Sequence, residues 1–481
     1  MADDSFADSL QNILDGIDKF IWSQWFLIPL LLFTGLWLTI RLRGVQFRKL
    51  GVALRHGFID RNDADGAGDI TQYQALTTAL AATVGVGNIV GVATAISIGG
   101  PGALFWMWIT GLLGMASKYS EAFLGVRFRV ADAHGKVSGG PQRYLSQGIP
   151  GRLGKFLAWF FTISAIIASF GIGNLTQGNA VAAGLENTFA VSPTVTGVIM
   201  FVLIGAVLLG GIGSIGKVTS AFVPLMIIIY LTGGIIVLVM HASEIPAAFA
   251  MIFNDAFTGT SATGGFLGAG IILAMQMGVA RGIFSNESGM GSAAIAAAAA
   301  KTTHPVRQGL VSMTQTFIDT IVVVTMTGLV IVTTGVWEAG QNNAANMTAA
   351  AFSEGIGSDW GGTIVSLSVV FFAFSTILGW SYYGERSAER AFGAWASIPY
   401  RMVFTCVIYI GATTEISLAW TFADIANGLM AIPNLIGLLI LSGLVARETK
   451  AYLDFDPTLQ AQPRDIEKFL IASKNPWRSK F

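Results

Sequence analysis

Charge is what this sequence has least of. Only 12% of its 481 residues are charged, against roughly 25% in a soluble globular domain. A single cysteine, Cys406, excludes an internal disulfide and a cysteine-held metal cluster. The four histidines, His56, His134, His241 and His304, stand at no metal-ligand spacing. Acid pairs and a phosphate-binding loop are missing too, so no enzymatic reaction and no cofactor is indicated. Net charge is zero, and no basic excess points to nucleic acid. The 58 glycines follow no Gly-X-Y period. The first twenty residues carry Asp3, Asp4, Asp8, Asp15 and Asp18 against Lys19, the reverse of the basic start of a signal peptide. An acidic start suits a tail that crosses the membrane with the first helix.

What fills the chain instead is apolar runs: 53% of residues are hydrophobic. A bilayer core of about 30 Å needs about 20 helical residues. That ruler gives spans at 22–42, 75–98, 101–127, 155–185, 194–213, 217–241, 266–284, 308–335, 361–384, 398–414 and 416–446, with Pro433 as a point where the last could divide. The runs are continuous, unlike the alternating ten-residue strands of a barrel. The expected class is therefore all-α, a polytopic membrane protein in lipid with about eleven transmembrane helices.

Positive charge tests that count. Arg41, Arg43, Arg48, Lys49, Arg55 and Arg61 follow the first span, and Arg127, Arg129, Lys136, Arg143, Arg152 and Lys155 follow the third. Lys217 starts the sixth; Arg281, Lys301 and Arg307 follow the seventh; Arg386, Arg390 and Arg401 follow the ninth. The intervening connectors hold none. Cytoplasmic loops concentrate Lys and Arg, so the N-terminus is expected outside and the C-terminus in the cytoplasm.

Two spans are poor helices. The second carries Gly85, Gly87 and Gly91 beside Thr83 and Asn88, and each interior glycine is worth about 1 kcal/mol against alanine. The seventh is weak at Gln276-Met277-Gly278 through Gly282, and again over Ser285-Asn286-Glu287-Ser288-Gly289. They lie five spans apart. Five is odd, so a second set of five would be inverted relative to the first, the arrangement of many secondary transporters. The expected parts are a tail at 1–21, an extra helix at 22–42, repeats at 75–241 and 266–446, and a cytoplasmic tail at 447–481. Unwound backbone frees N–H groups that suit a carboxylate and carbonyls that suit Na⁺. The alternative is that these glycines only let helices pack closely.

At these residues the chain resembles the alanine/glycine:cation symporters, the sodium:alanine symporter family. The resemblance runs through Thr71–Ile89, Gly100–Trp108, Gly282–Ser292 and Asn427–Asn434. It implies the leucine-transporter-like fold in a bacterial inner (plasma) membrane. It also implies uptake of a small neutral amino acid, alanine or glycine, coupled to Na⁺, with H⁺ as the alternative ion. By similarity to the wider fold, carbonyls of Ala81, Val84 and Phe372 and hydroxyls of Ser375 and Thr376 would hold the cation. Oxygen ligands are what a hard cation takes. The same similarity puts Gly85, Gly87, Asn88, Gln276, Met277, Gly278 and Thr376 at the substrate, with Phe170 and Trp380 as pocket walls or, equally, packing residues. A channel would need a polar lining along its whole length, which no span offers.

A few charges fall inside spans. Asp319 lies near the middle of the eighth, about 18 Å in at 1.5 Å per residue. Such acids are functional candidates, here a proton relay or a carboxylate satisfied by Gln315, Thr316 or Thr320. Lys118 and Glu121 are expected to pair. Glu385, Arg386, Glu389 and Arg390 form a mixed-charge face, and Asp424 with Asn427 reads as a helix contact.

Overall fold

The computed structural model describes residues 2–60, 66–131, 136–258, 267–339, 344–414 and 417–473. Nearly all of them are helical; the one sheet is a two-residue antiparallel pair, Val130–Ala131 with Val137–Ser138. Five helices among the described residues are long and apolar enough to cross a membrane: Gly151–Phe189, Gly211–Met240, Pro305–Thr333, Trp360–Phe392 and Trp420–Phe455. A sixth is the pair Gln72–Thr83 and Val86–Gly99, bent by 60°. The other five segments read as spans are helical too, but shorter or less apolar.

The apolar surface says what surrounds these helices. On Pro193–Leu209, Val198, Ile199, Val202 and Leu203 are exposed, and Leu209 is 82% exposed. On Gly211–Met240 the same holds for Ile228, Ile235, Ile236 and Val239. Patches of this kind rarely face water, and lipid satisfies them.

Three features differ from the sequence expectation. Residues expected as a tail form a helix, Ala2–Ile21, which lies against the Ser417–Phe455 helix through Gln11 Nε2 to Thr421 Oγ1 at 3.0 Å. Pro433 does not divide the last span, for that helix is continuous over 39 residues. The seventh span does not break at Gln276–Gly278. Helix Leu267–Asn286 runs through these residues and stops ten residues later, and a short helix, Ala293–Ala298, follows. Residues 285–300, expected as a loop, are buried throughout.

Candidate functional site

The first break is made by a hydrogen bond that leaves the helix ladder. Thr71 caps Gln72–Thr83 in a capping box with Gln74, which fixes where the helix begins. At its other end the Gly85 N–H should close a turn on Ala81 O. It donates instead to Asn88 Oδ1 at 2.9 Å. A short 3-10 turn, Val86–Asn88, follows, and Val90–Gly99 departs at the bend.

The Ala81 carbonyl released in this way is met from the Trp360–Phe392 helix. Thr376 Oγ1 donates to it at 3.1 Å and Ser375 Oγ at 3.3 Å, and Ser375 also reaches Phe372 O at 2.8 Å. Four of the five residues expected at the cation, Ala81, Phe372, Ser375 and Thr376, are thus gathered in one buried group. Val84 ends the helix beside them, its N–H on Leu80 O at 2.8 Å. The two helices touch closely because Gly379 faces Ala82: a Cβ there would stand 2.8 Å from Ala82 N. A Cβ on Gly85 would stand 2.4 Å from Thr376 Oγ1. Gly85→Ala must therefore push Thr376 away. Na⁺-driven uptake is expected to fall at least about tenfold, the effect of losing roughly 1.4 kcal/mol of ion binding; uptake per milligram of reconstituted protein measures it.

Asp319 ties both weak segments together. It sits fully buried in a π-helical stretch, Phe317–Val324, inside the eighth span. Its Oδ1 accepts from Asn88 Nδ2 at 2.7 Å. Its Oδ2 accepts from Ser285 Oγ at 2.8 Å and Thr320 Oγ1 at 2.9 Å. Thr320 was an expected partner; Asn88 and Ser285 were not. Asn286 Nδ2 extends the set to Thr320 Oγ1 at 3.0 Å, and Ser288 meets Thr316, hydroxyl to hydroxyl, at 3.0 Å. A carboxylate with both oxygens bonded is a satisfied one.

The second break spans residues 287–292, where Glu287, Gly289 and Gly291 have φ of 55°, 91° and 81°. Glycine tolerates that region and glutamate rarely does. The turn is held from two neighbouring helices. Lys118 Nζ donates to Glu287 O at 2.9 Å, and Glu121 Oε1 accepts from the Gly291 N–H at 3.0 Å. Asn434, next to Pro433, donates to both Glu121 Oε1 and Gly289 O at 2.8 Å. Lys118 and Glu121 pair as expected, at 3.7 Å and without exposure.

The remaining expected residues divide. Thr376 and Trp380 lie one helical turn apart, and Trp380 is buried against Gly173, where a Cβ would fall 2.3 Å from its own. Gly87 touches the second weak segment: a Cβ there would meet Phe284 at 2.9 Å and Ser285 Cα at 3.2 Å. Gln276, Met277 and Gly278 lie inside the unbroken Leu267–Asn286 helix and not at its end. Gly278 and Gly282 face the Gly102–Arg127 helix, with Ala103 O and Thr110 Oγ1 each 2.4 Å from a would-be Cβ; they are close-packing glycines. Phe170 lies tilted against Tyr400 and Phe404, with ring centroids 5.4 and 5.6 Å away. Gln177 went unnoticed in the sequence. Its Oε1 is buried without a hydrogen-bond partner among the described residues and lies 3.6 Å from the would-be Gly85 Cβ. A polar side chain inside an apolar span was the available signal.

Beyond Gly87 the path is covered. Phe284 stacks on Trp420 with centroids 5.8 Å apart, and Arg281 pairs with Asp424 at 3.0 Å. Arg281, expected in a loop, is on the Leu267–Asn286 helix. Asp424 thus makes a helix contact, through Arg281, while the Asn427 amide has no hydrogen-bond partner among the described residues. Asp18 of the first helix joins this group. Burial, then the Asp424 carboxylate, push it up to about 7. The folded protein therefore holds a proton that the unfolded chain releases near the ordinary 3.8, and stability falls as pH rises from about 4 to about 7. Asp18→Asn is expected to flatten the thermal midpoint across that window.

At the other end Glu385 pairs with Arg401 across helices at 2.6 Å, and Arg386 with Glu389 at 2.7 Å. The mixed-charge face thus makes one bond to a neighbouring helix and one along its own, between residues three apart. His304 caps a helix through Val306 N at 3.2 Å and stacks on Tyr452, while His134 lies outside the described residues. No group of three metal-ligating side chains occurs among the described residues.

Comparison with known proteins adds the family. The model of the sodium:alanine symporter family matches residues 7–465. A sodium/alanine symporter of Methanococcus maripaludis, AgcS, is 48% identical over 445 residues, covering 92% of this chain and 97% of that one. An uncharacterized transporter of Haemophilus influenzae is 47% identical, with 92% and 96% covered. A probable sodium/glutamine symporter of Bacillus subtilis, GlnT, is 35% identical, with 92% and 91% covered.

Proposed function

The chain belongs to the sodium:alanine symporter family, and from that premise we propose that it carries a small neutral amino acid, alanine or glycine, together with Na⁺ by alternating access. It is a membrane transporter and not an enzyme. The observation that carries the proposal is the Ala81 carbonyl, taken out of its helix by the Gly85–Asn88 bond and met by two hydroxyls. That is a ready group of hard oxygens in a buried place. With Na⁺ bound, the Ser375 and Thr376 hydroxyls turn their lone pairs to the ion, and Phe372 O and Val84 O complete the shell.

The amino acid sits on the next turn. The amides that start the Val86–Asn88 turn suit its carboxylate, and Gln177 Oε1, without a partner among the described residues, suits its ammonium. Trp380 walls the side-chain end, which favours a methyl group or a hydrogen. Asp319 is a positioning residue: it fixes Asn88 on one break and Ser285 at the helix end just before the other, so that ligand at the first is felt at the second. Phe284–Trp420 and Arg281–Asp424 close the outer side, with Glu385–Arg401 at the inner end.

Two five-helix repeats, 75–241 and 266–446, each led by a broken helix, give the rocking parts. The leading helix at 22–42 stands outside them. Apart from Arg281, which pairs with Asp424 on the outer side, the charge alternation favours an outside N-terminus and a cytoplasmic C-terminus in a bacterial inner membrane. Counterflow in proteoliposomes tests the proposal. Saturable uptake of labelled alanine that stops when choline replaces Na⁺ is the expected result; uptake unchanged in choline removes Na⁺ from the mechanism.

A further inference from the structure

Five cations meet at one corner of the protein, and transport uses none of them. Arg41, Arg43 and Arg48 lie at and just beyond the end of the Leu27–Arg41 helix, and Arg447 and Lys450 near the end of the Ser417–Phe455 helix. Together they line a cleft of about 330 Å³. Asp454 is the one acid in that lining, 3.9 Å from Lys450, with both side chains largely exposed. Among the described residues none of the four arginines has a carboxylate within ion-pair distance. Exposed like charges repel one another, so a cluster with this little compensation attracts an anion.

The backbone builds the cluster. Arg43 and Gly44 have φ of 56° and 65°, two successive left-handed residues that fold the chain back after the helix. Arg48 Nη1 then donates to Arg43 O at 3.4 Å. Arg41 lies across Gly443, where a Cβ would just touch its Nη2 at 3.4 Å. A left-handed arginine is an unfavourable conformation, kept here where it adds a guanidinium to the cleft.

Below the cations the surface turns apolar. The Arg41 guanidinium lies 5.2 Å from the centroid of the Trp37 ring, whose Nε1 donates to Ser442 Oγ at 3.1 Å. Phe33, Leu36 and Ile40 are exposed on the same helix. Tryptophan beneath arginine is the pattern of a membrane–water boundary. A soluble anion would use only the upper part of this surface. A molecule with a phosphate head and apolar tails would use both.

We propose that this corner binds an anionic phospholipid, its phosphate among Arg41, Arg43, Arg48 and Arg447 and its acyl chains along Phe33, Leu36 and Ile40. Basic pockets between membrane helices take such headgroups. The competing explanation is that these residues only set orientation in the membrane, which gives them no preference for one lipid.

The full chain in detergent provides the test. Phosphatidylglycerol is expected to raise the thermal midpoint saturably, with phosphatidylcholine of the same chains and inorganic phosphate giving little. Arg43→Gln with Arg447→Gln should weaken that binding roughly 30-fold, since each basic residue at an anionic surface is worth about 5-fold. Arg43→Lys with Arg447→Lys should retain most of it, and Arg152→Gln with Lys155→Gln, on an exposed basic stretch elsewhere, should leave it intact. Equal stabilisation by phosphatidylcholine, equal stabilisation by inorganic phosphate, or equal loss in the Arg152/Lys155 variant overturns the proposal. If the glutamine pair does not fold, native mass spectrometry of the unmodified protein decides. Preferential retention of phosphatidylglycerol over phosphatidylcholine supports the site, and equal retention ends it.

Discussion

Ser375→Ala with Thr376→Ala is expected to raise the Na⁺ concentration for half-maximal alanine uptake by 10-fold or more. Both hydroxyls converge on Ala81 O, at 3.3 and 3.1 Å. A hydrogen bond or ligand contact to a charged group is worth about 1.5–3 kcal/mol, and about 1.4 kcal/mol is already tenfold. Removing both hydroxyls also leaves a buried carbonyl without its donors. The effect should fall on Na⁺ dependence before protein level, because the close approach of the two helices at Gly379 and Ala82 is touched by neither substitution. Uptake against Na⁺ concentration in proteoliposomes measures it. An unchanged Na⁺ curve would place the ion elsewhere.

Lys118→Met should be the most damaging substitution for stability. Lys118 and Glu121 are both without exposure, and the ammonium also holds Glu287 O at 2.9 Å. Removing one partner of a buried ion pair costs about 3–5 kcal/mol, because the charge left behind has no compensation. Here two buried acids would be left, Glu287 in the turn and Glu121 on the helix against it. The thermal midpoint in detergent reads the loss. Adding Glu121→Gln to Lys118→Met should recover part of it, since the stranded charge is then removed. A double variant as unstable as the single one would assign the loss to packing.

The sequence shows some of this arrangement and hides the rest for physical reasons. The first break is legible because its cause is local: Gly85, Gly87 and Asn88 lie within four residues, and Asn88 caps Gly85 directly. The second is half legible. Gly289 and Gly291 mark the true turn by their left-handed backbone. Gly278 and Gly282 carry the same letter for another reason, which becomes visible only with Ala103 and Thr110 beside them. The Asn88–Asp319 bond joins residues 231 apart, and Thr376 reaches Ala81 across 295. Pairings of that range leave no periodic trace in a single sequence; the family resemblance implies that Ala81 and Thr376 meet, and no feature of the sequence pairs Asn88 with Asp319. The acids of residues 1–21 mark an external tail but say nothing of its backbone. The same stretch keeps Leu10, Ile13 and Ile17 at helical spacing, enough for an amphipathic helix.

The central claim is that Na⁺ and the amino acid occupy adjacent places at one break and strengthen each other's binding. Equilibrium binding of labelled alanine to the purified chain, as a function of Na⁺, tests it most directly. Linkage requires that the factor by which Na⁺ tightens alanine equals the factor by which alanine tightens Na⁺. The expected result is a rise in alanine affinity of at least about 5-fold, the low end of ordinary coupling energies, that disappears in the Ser375→Ala, Thr376→Ala variant. Alanine affinity that ignores Na⁺, or coupling that survives in that variant, would contradict it.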